Sequence, residues 1–147
     1  MPTYVCTSIT GRLSPSQKQQ IVSDITRIHC EATGAPGYFA QVIFEDVAPS
    51  DYYVGGKPLA HDQLFVHGRI RTGRAAQAKT RMIQEMARAL GHAAQVPATG
   101  VWVYLGELPA RQLIEGGHVL PEPGDEDAWT AALPSADRDW MQSIGRA

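Results

Sequence analysis

The chain has little that would point to a metal, a nucleic acid or a membrane. Its two cysteines, Cys6 and Cys30, show no CxxC or other metal-ligand spacing. They read as reduced, partly buried small apolar residues. The five histidines form no HxxxH or HExxH pattern, so neither a metal site nor any other cofactor is expected. Charge of one sign is also lacking. A net charge of −2 sets up no basic field, which argues against a nucleic-acid partner. No apolar run is long enough to span a bilayer, and no secretory h-region is present. The expectation is a cytoplasmic protein with no membrane partner.

What is present is patterned. Thr3 to Ile9 alternates as a strand, with Tyr4, Cys6 and Ser8 on one face and Thr3, Val5, Thr7 and Ile9 on the other. Ser14-Pro15-Ser16-Gln17 is a helix start with a capping serine, a proline at the first helical position and a glutamine closing a capping box. Ile21, Val22, Ile25, Ile28 and Ala32 form a stripe of period 3.6, and Gly34 and Pro36 end it. Tyr38 to Phe44 reads as a second strand. Ala48 to Asp62, rich in Pro, Gly, Asp and Tyr, reads as a long crossover loop.

The pattern then repeats. Leu64 to Arg71 alternates as a strand with Leu64, Val66, Gly68 and Ile70 on one face. A helix is predicted from about Arg74, with Ala78, Met82, Ile83, Met86 and Leu90 as its stripe and Gly91 as its end. Val101 to Leu105 is the fourth strand. The expected fold is α+β: tandem β-α-β repeats make a four-stranded sheet with two helices on one face, followed by a short irregular extension. One domain is expected, with repeats over about 2–47 and 63–109, a crossover at about 48–62 and the extension at 110–147. Within the extension, a short helix is expected over Asp125–Leu133, and Ser135 could cap another near Trp140. The bare sheet face needs a cover, which a homo-oligomer supplies.

Six residues could carry chemistry. Pro2 follows Met1, and removal of that methionine would expose a secondary amine able to act as acid, base or nucleophile. Arg71-Thr72-Gly73-Arg74 puts two guanidiniums where a strand ends and a helix begins. Cations oppose the helix dipole there, a broken local rule that suggests a carboxylate or phosphate site. His29 lies on the apolar side of the first helix. Tyr104 lies in the last strand, and Glu115 in the run Gln112 to Gly117. By residue type alone, packing or solvation is the commoner role for these last three.

Taken in order, these residues resemble the tautomerase superfamily, specifically its cis-3-chloroacrylic acid dehalogenase group. The resemblance runs from Pro2 to about Leu133. It rests on Pro2, Ile25-Thr26-Arg27-Ile28-His29, Ala40 to Phe44, Phe65-Val66-His67-Gly68, Arg71 to Arg74, Trp102 to Pro109, Glu115 and Leu120 to Gly124. It implies a β-α-β repeat fold, a homotrimer and a catalytic amino-terminal proline. It further implies that Pro2 is the acid or base, that His29, Arg71 and Arg74 hold a substrate carboxylate, and that Tyr104 and Glu115 orient and activate water. The dehalogenase-like members tend to carry Glu-Tyr-Gly-Arg where this chain has Glu115-Gly116-Gly117-His118. That departure changes the wall beside Glu115.

The implied substrate is a small unsaturated or 2-keto carboxylate. A neutral proline could move an α-proton, and a cationic one could protonate an acrylate while Glu115 directs water to it. Hydration or dehalogenation with accompanying tautomerisation is the first expectation. A plain tautomerase or decarboxylase is the second, and a non-catalytic trimeric binding module is the third.

Overall fold

The computed structural model describes residues 2–35 and 40–144. Four strands form one mixed sheet: β1 (Thr3–Ile9), β2 (Gln41–Val47), β5 (Leu64–Arg71) and β6 (Val101–Leu108), in the order β2-β1-β5-β6. β1 pairs parallel with β2, and β5 parallel with β6, each through a crossover helix. The two halves meet antiparallel along β1 and β5, with Tyr4 opposite Gly68 and Val5 opposite His67. The crossover helices are α1 (Pro15–Thr33) and α2 (Ala76–Ala94).

The core lies between the helices and one sheet face. β1 sends Tyr4, Cys6 and Ser8 inward, and β5 sends Leu64, Val66 and Ile70. α1 meets them with Ile21, Ile25 and Ile28, and α2 with Met82, Met86, Leu90 and Ala94. Each fully buried aliphatic side chain is worth about 1.5–3 kcal/mol relative to exposure, so this two-layer contact dominates the stability. Arg12 ties the layers together at one end. Its guanidinium donates to both carboxylate oxygens of Asp62, at 2.6 and 2.5 Å, and to the carbonyl of Ala94 at 2.9 Å.

The predicted start of α1 is present in full. Ser14 Oγ accepts from the backbone N–H of Gln17, the Gln17 side chain accepts from the N–H of Ser14, and Gly34 ends the helix in the left-handed region at φ 71°. Other boundaries move. α2 begins at Ala76 rather than Arg74, and it runs through Gly91 to Ala94, capped by Gln95 at φ 56°. Gly91 is small for packing: a Cβ there would lie 3.2 Å from both Val101 Cγ2 and the Val96 carbonyl. β2 runs Gln41–Val47 rather than ending at Phe44, while Tyr38 and Phe39 lie outside the described residues. β6 extends to Leu108. The crossover is not all loop, since it holds a short hairpin of β3 (Tyr53–Val54) and β4 (Lys57–Pro58).

The C-terminal extension is also more ordered than its composition suggests. β7 (Ile114–Glu115) and β8 (His118–Val119) form a hairpin, followed by α3 (Glu126–Ala132) and α4 (Ser135–Ser143). Ser135 is the first residue of α4, with Pro134 before it in the capping position. Among the described residues, no helix is long and apolar enough to cross a membrane.

The second sheet face carries Ile43, Val5, His67 and Tyr104 in one row, and Glu45, Thr7, Phe65 and Trp102 in the next. Tyr104 packs edge-on against Phe65 with ring centroids 5.1 Å apart, yet it remains 56% exposed. Among the described residues of this face, Ile43, Trp102 and Tyr104 are exposed.

Candidate active site

One cavity gathers the start of β1, the end of α1, the β5–α2 junction and the C-terminal extension. Pro2, His29, Ala35, Ile70, Arg71, Arg74, Leu120, Pro121, Glu126 and Trp129 line it, and it encloses about 40 Å³. Pro2 is buried, and its carbonyl accepts from the N–H of Gln41 at 2.9 Å, which fixes the residue before β1 against β2.

His29 is placed by a chain of close fits. Tyr4 points inward from β1, and its hydroxyl lies 2.8 Å from His29 Nδ1. The ring has room because the facing residue on β5 is Gly68. A Cβ there would fall 2.5 Å from Tyr4 Cε1 and 2.8 Å from Cδ1. Burial and the neighbouring guanidiniums of Arg74 and Arg71 push the His29 pKa down to about 4, so the imidazole is neutral near pH 7. Burial raises the Tyr4 phenol pKa, so it keeps its proton. A phenol donates better to a ring nitrogen than to the Met82 sulfur 3.9 Å away. Hydrogen-bond logic therefore assigns Nδ1 as acceptor and leaves Nε2–H as the donor on the ring's other edge.

Arg71 is the last residue of β5. Gly73 follows at φ 105°, a conformation that favours glycine, and turns the chain so that Arg74 meets the same cavity. Arg71 Nη1 donates to the Pro121 carbonyl at 2.5 Å, and Nη2 to Glu126 Oε1 at 2.6 Å. Arg74 Nη1 donates to the Thr33 carbonyl at 2.9 Å, with Nη2 3.9 Å from Glu126 Oε1. The other Glu126 oxygen accepts from the Gly124 N–H at 2.7 Å. Burial opposes ionisation of Glu126, but backbone N–H groups and Arg71 outweigh it and hold its pKa below the usual value.

Four of the six sequence candidates thus share one cavity: Pro2, His29, Arg71 and Arg74. Tyr104 and Glu115 are not among its lining residues. Tyr104 projects from the other sheet face. Glu115 is half-buried on the β7–β8 hairpin, whose outgoing strand leads directly to Leu120 and Pro121 in the cavity wall. Reading the sequence missed Tyr4, Glu126 and Trp129. The first-turn acid in the predicted Asp125–Leu133 helix was the available signal for Glu126. Nothing local marks Tyr4, because its partner is twenty-five residues away.

The departures at Gly116 and His118 have a packing cause. Gly116 has φ 57°, which strains any side chain, and a Cβ there would displace the terminal methyl of Met141 of α4. His118 donates to Asp137 of α4 at 2.9 Å and packs edge-on to Trp129, whose indole N–H donates to the Val119 carbonyl. Both residues dock α4 onto the hairpin.

Comparison with known proteins agrees with this architecture. The family model Tautomerase_3, described as putative oxalocrotonate tautomerase enzyme, matches residues 1–132. The crystal structure of N1, a member of the cis-3-chloroacrylic acid dehalogenase family, superposes with a TM-score of 0.91 at 30% identity, over 97% of this chain and 99% of N1. Ps01740 superposes at 0.73 with 26% identity, over 77% of this chain and 99% of that one. A fused 4-OT solved as an asymmetric trimer shares the fold at 0.74 and 16% identity, over 80% of this chain and 94% of that one. Curated protein sequences return no match. A sheet of two β-α-β units is the fold that these structures share, the tautomerase class of fold. The chain belongs to the tautomerase superfamily, in its cis-3-chloroacrylic acid dehalogenase-like group.

Proposed function

We propose that this protein is an enzyme in which Pro2, freed by removal of Met1, moves protons on a small unsaturated or 2-keto carboxylate. The observation that carries the reading is the convergence of Pro2, His29, Arg71 and Arg74 on one cavity. The two guanidiniums and the neutral His29 Nε2–H are donors for a carboxylate, and they would stabilise enediolate-like charge building on it. Apolar walls and nearby cations both disfavour the ammonium form of the proline, which suits the neutral amine to act as a base. Keto-enol proton transfer needs only this set.

Hydration or hydrolytic dehalogenation needs a water activator as well. Glu115 is the candidate base, on the hairpin whose outgoing strand leads into the cavity wall. Tyr104 faces away from its own cavity, so it could serve only a site on a neighbouring copy. A homotrimer packed through the bare sheet face would supply that copy, and trimers occur among structures of the same fold. Because Glu115 lies outside the cavity lining, tautomerisation is the core activity and water addition is conditional on Glu115 and Tyr104.

The test uses protein whose intact mass shows loss of Met1. A structural relative at 18% identity, Pt0534, is described as inactivated by 2-oxo-3-pentynoate. The same alkynone should alkylate Pro2 here, located by peptide mass spectrometry. Adducts confined to lysines, Cys6 or Cys30 would overturn the proline role. An NMR time course with an enol of a 2-keto acid and with 3-haloacrylates then ranks the two activities.

A further inference from the structure

Glu126 is a carboxylate standing inside a site built to receive a carboxylate. It is not placed to act as a base, because one oxygen is held by Arg71 and the other by the Gly124 N–H. It is also poorly placed to leave. It belongs to the same chain, so its effective concentration at Arg71 is of millimolar order or higher, and a free carboxylate must compete with that. The guanidiniums still have hydrogens to offer while it stays. Arg71 has five N–H groups and spends one on Pro121 and one on Glu126, while Arg74 spends one on Thr33.

The charge count follows. Arg71 and Arg74 each contribute one positive charge, Glu126 removes one, and His29 is neutral. Before the proline amine is counted, the cavity presents one net positive charge and so balances one carboxylate. Without Glu126 it would balance two. We propose that Glu126 is a specificity-determining residue that restricts the site to monocarboxylates by neutralising half of its arginine pair. This rests on the carboxylate-binding reading of Arg71 and Arg74. A second substrate carboxylate would meet Glu126 at short range inside a small, partly desolvated cavity, where like charges repel far more strongly than in bulk water.

The probes are crotonate and fumarate, which share a four-carbon trans skeleton and differ by a methyl against a second carboxylate. Their dissociation constants are measured by calorimetry on the methionine-processed protein, its Glu126→Gln, Glu126→Ala and Glu126→Asp variants, and Arg74→Ala. Wild type should favour crotonate. Glu126→Gln keeps an acceptor for Arg71 but removes the charge, and the preference ratio should swing toward fumarate by about tenfold. Glu126→Ala should move the same way, and Glu126→Asp should keep the wild-type ratio. If Glu126→Gln weakens both probes equally, Glu126 only positions Arg71 and the inference is overturned. An unchanged ratio overturns it as well. Loss of crotonate binding in Arg74→Ala beside either result leaves the carboxylate site standing while this inference falls. If Arg74→Ala binds crotonate as well as wild type, or if no form binds either probe, the carboxylate reading itself falls and takes this inference with it.

Discussion

Protonation of His29 should dominate the difference in acid sensitivity between wild type and a variant lacking the imidazole. The ring is buried at 5% exposure, accepts from Tyr4, and faces Arg71 and Arg74. Its pKa lies near 4 in the fold against 6.5 in a free chain. The unfolded chain therefore binds the extra proton between those values, and the folded one does not. Stability that is fully present above pH 6.5 is lost as pH falls toward 4 and levels below it. At about 1.4 kcal/mol for each pH unit, the ceiling is about 3 kcal/mol. At this chain length that corresponds to a lowering of Tm by roughly 6–12 °C. The assay is urea unfolding at fixed protein concentration across pH 4–7.5, for wild type and His29→Gln. Carboxylate groups such as Glu126 and Asp62 lose their depressed-pKa contribution in both proteins as pH falls, so the difference curve isolates the imidazole. His29→Gln should start less stable near pH 7 and lose less on acidification. Parallel curves would refute the buried, neutral histidine and the donor assigned to its Nε2.

Three further outcomes follow from the same geometry. Gly68→Ala should destabilise the protein by about 1–3 kcal/mol, read by urea unfolding, because the new methyl meets the Tyr4 ring. It should also raise the pKa of His29, read by NMR titration of the ring, as Tyr4 is pushed off Nδ1. Arg74→Ala should weaken every reaction by about tenfold to a hundredfold through a lost charge-assisted contact, whereas Glu115→Gln should suppress water addition far more than ketonisation. Equal factors on the two activities would remove Glu115 as the water base. Gly116→Tyr, which introduces the aromatic residue of the dehalogenase-like pattern, should release α4 from the hairpin, because φ 57° strains a side chain there and the ring must displace Met141. Faster amide exchange confined to α4 and the hairpin would show it, and unchanged protection would refute the packing account.

Much of this protein is written in local pattern. Strict alternation from Thr3 to Ile9 and from Leu64 to Arg71 determined two strands to the residue, because a one-residue slip would turn the buried face to solvent. The capping box at Ser14 and Gln17 determined where α1 starts, since both partners lie within one turn. The arginine pair was legible as a break in the helix-dipole rule. The rest depended on distance in sequence. Gly91 looked like a helix end, but helix ends are decided by what the next turn packs against, here Val96 and Val101. The order hidden in the extension depended on partners elsewhere: Gly116 on Met141, His118 on Asp137, and Glu126 on Arg71. Only the tertiary structure decided that Tyr104 faces away from its own cavity while Tyr4 faces in. Strand alternation says that two residues differ in side, but only the placement of the helices says which side is the core.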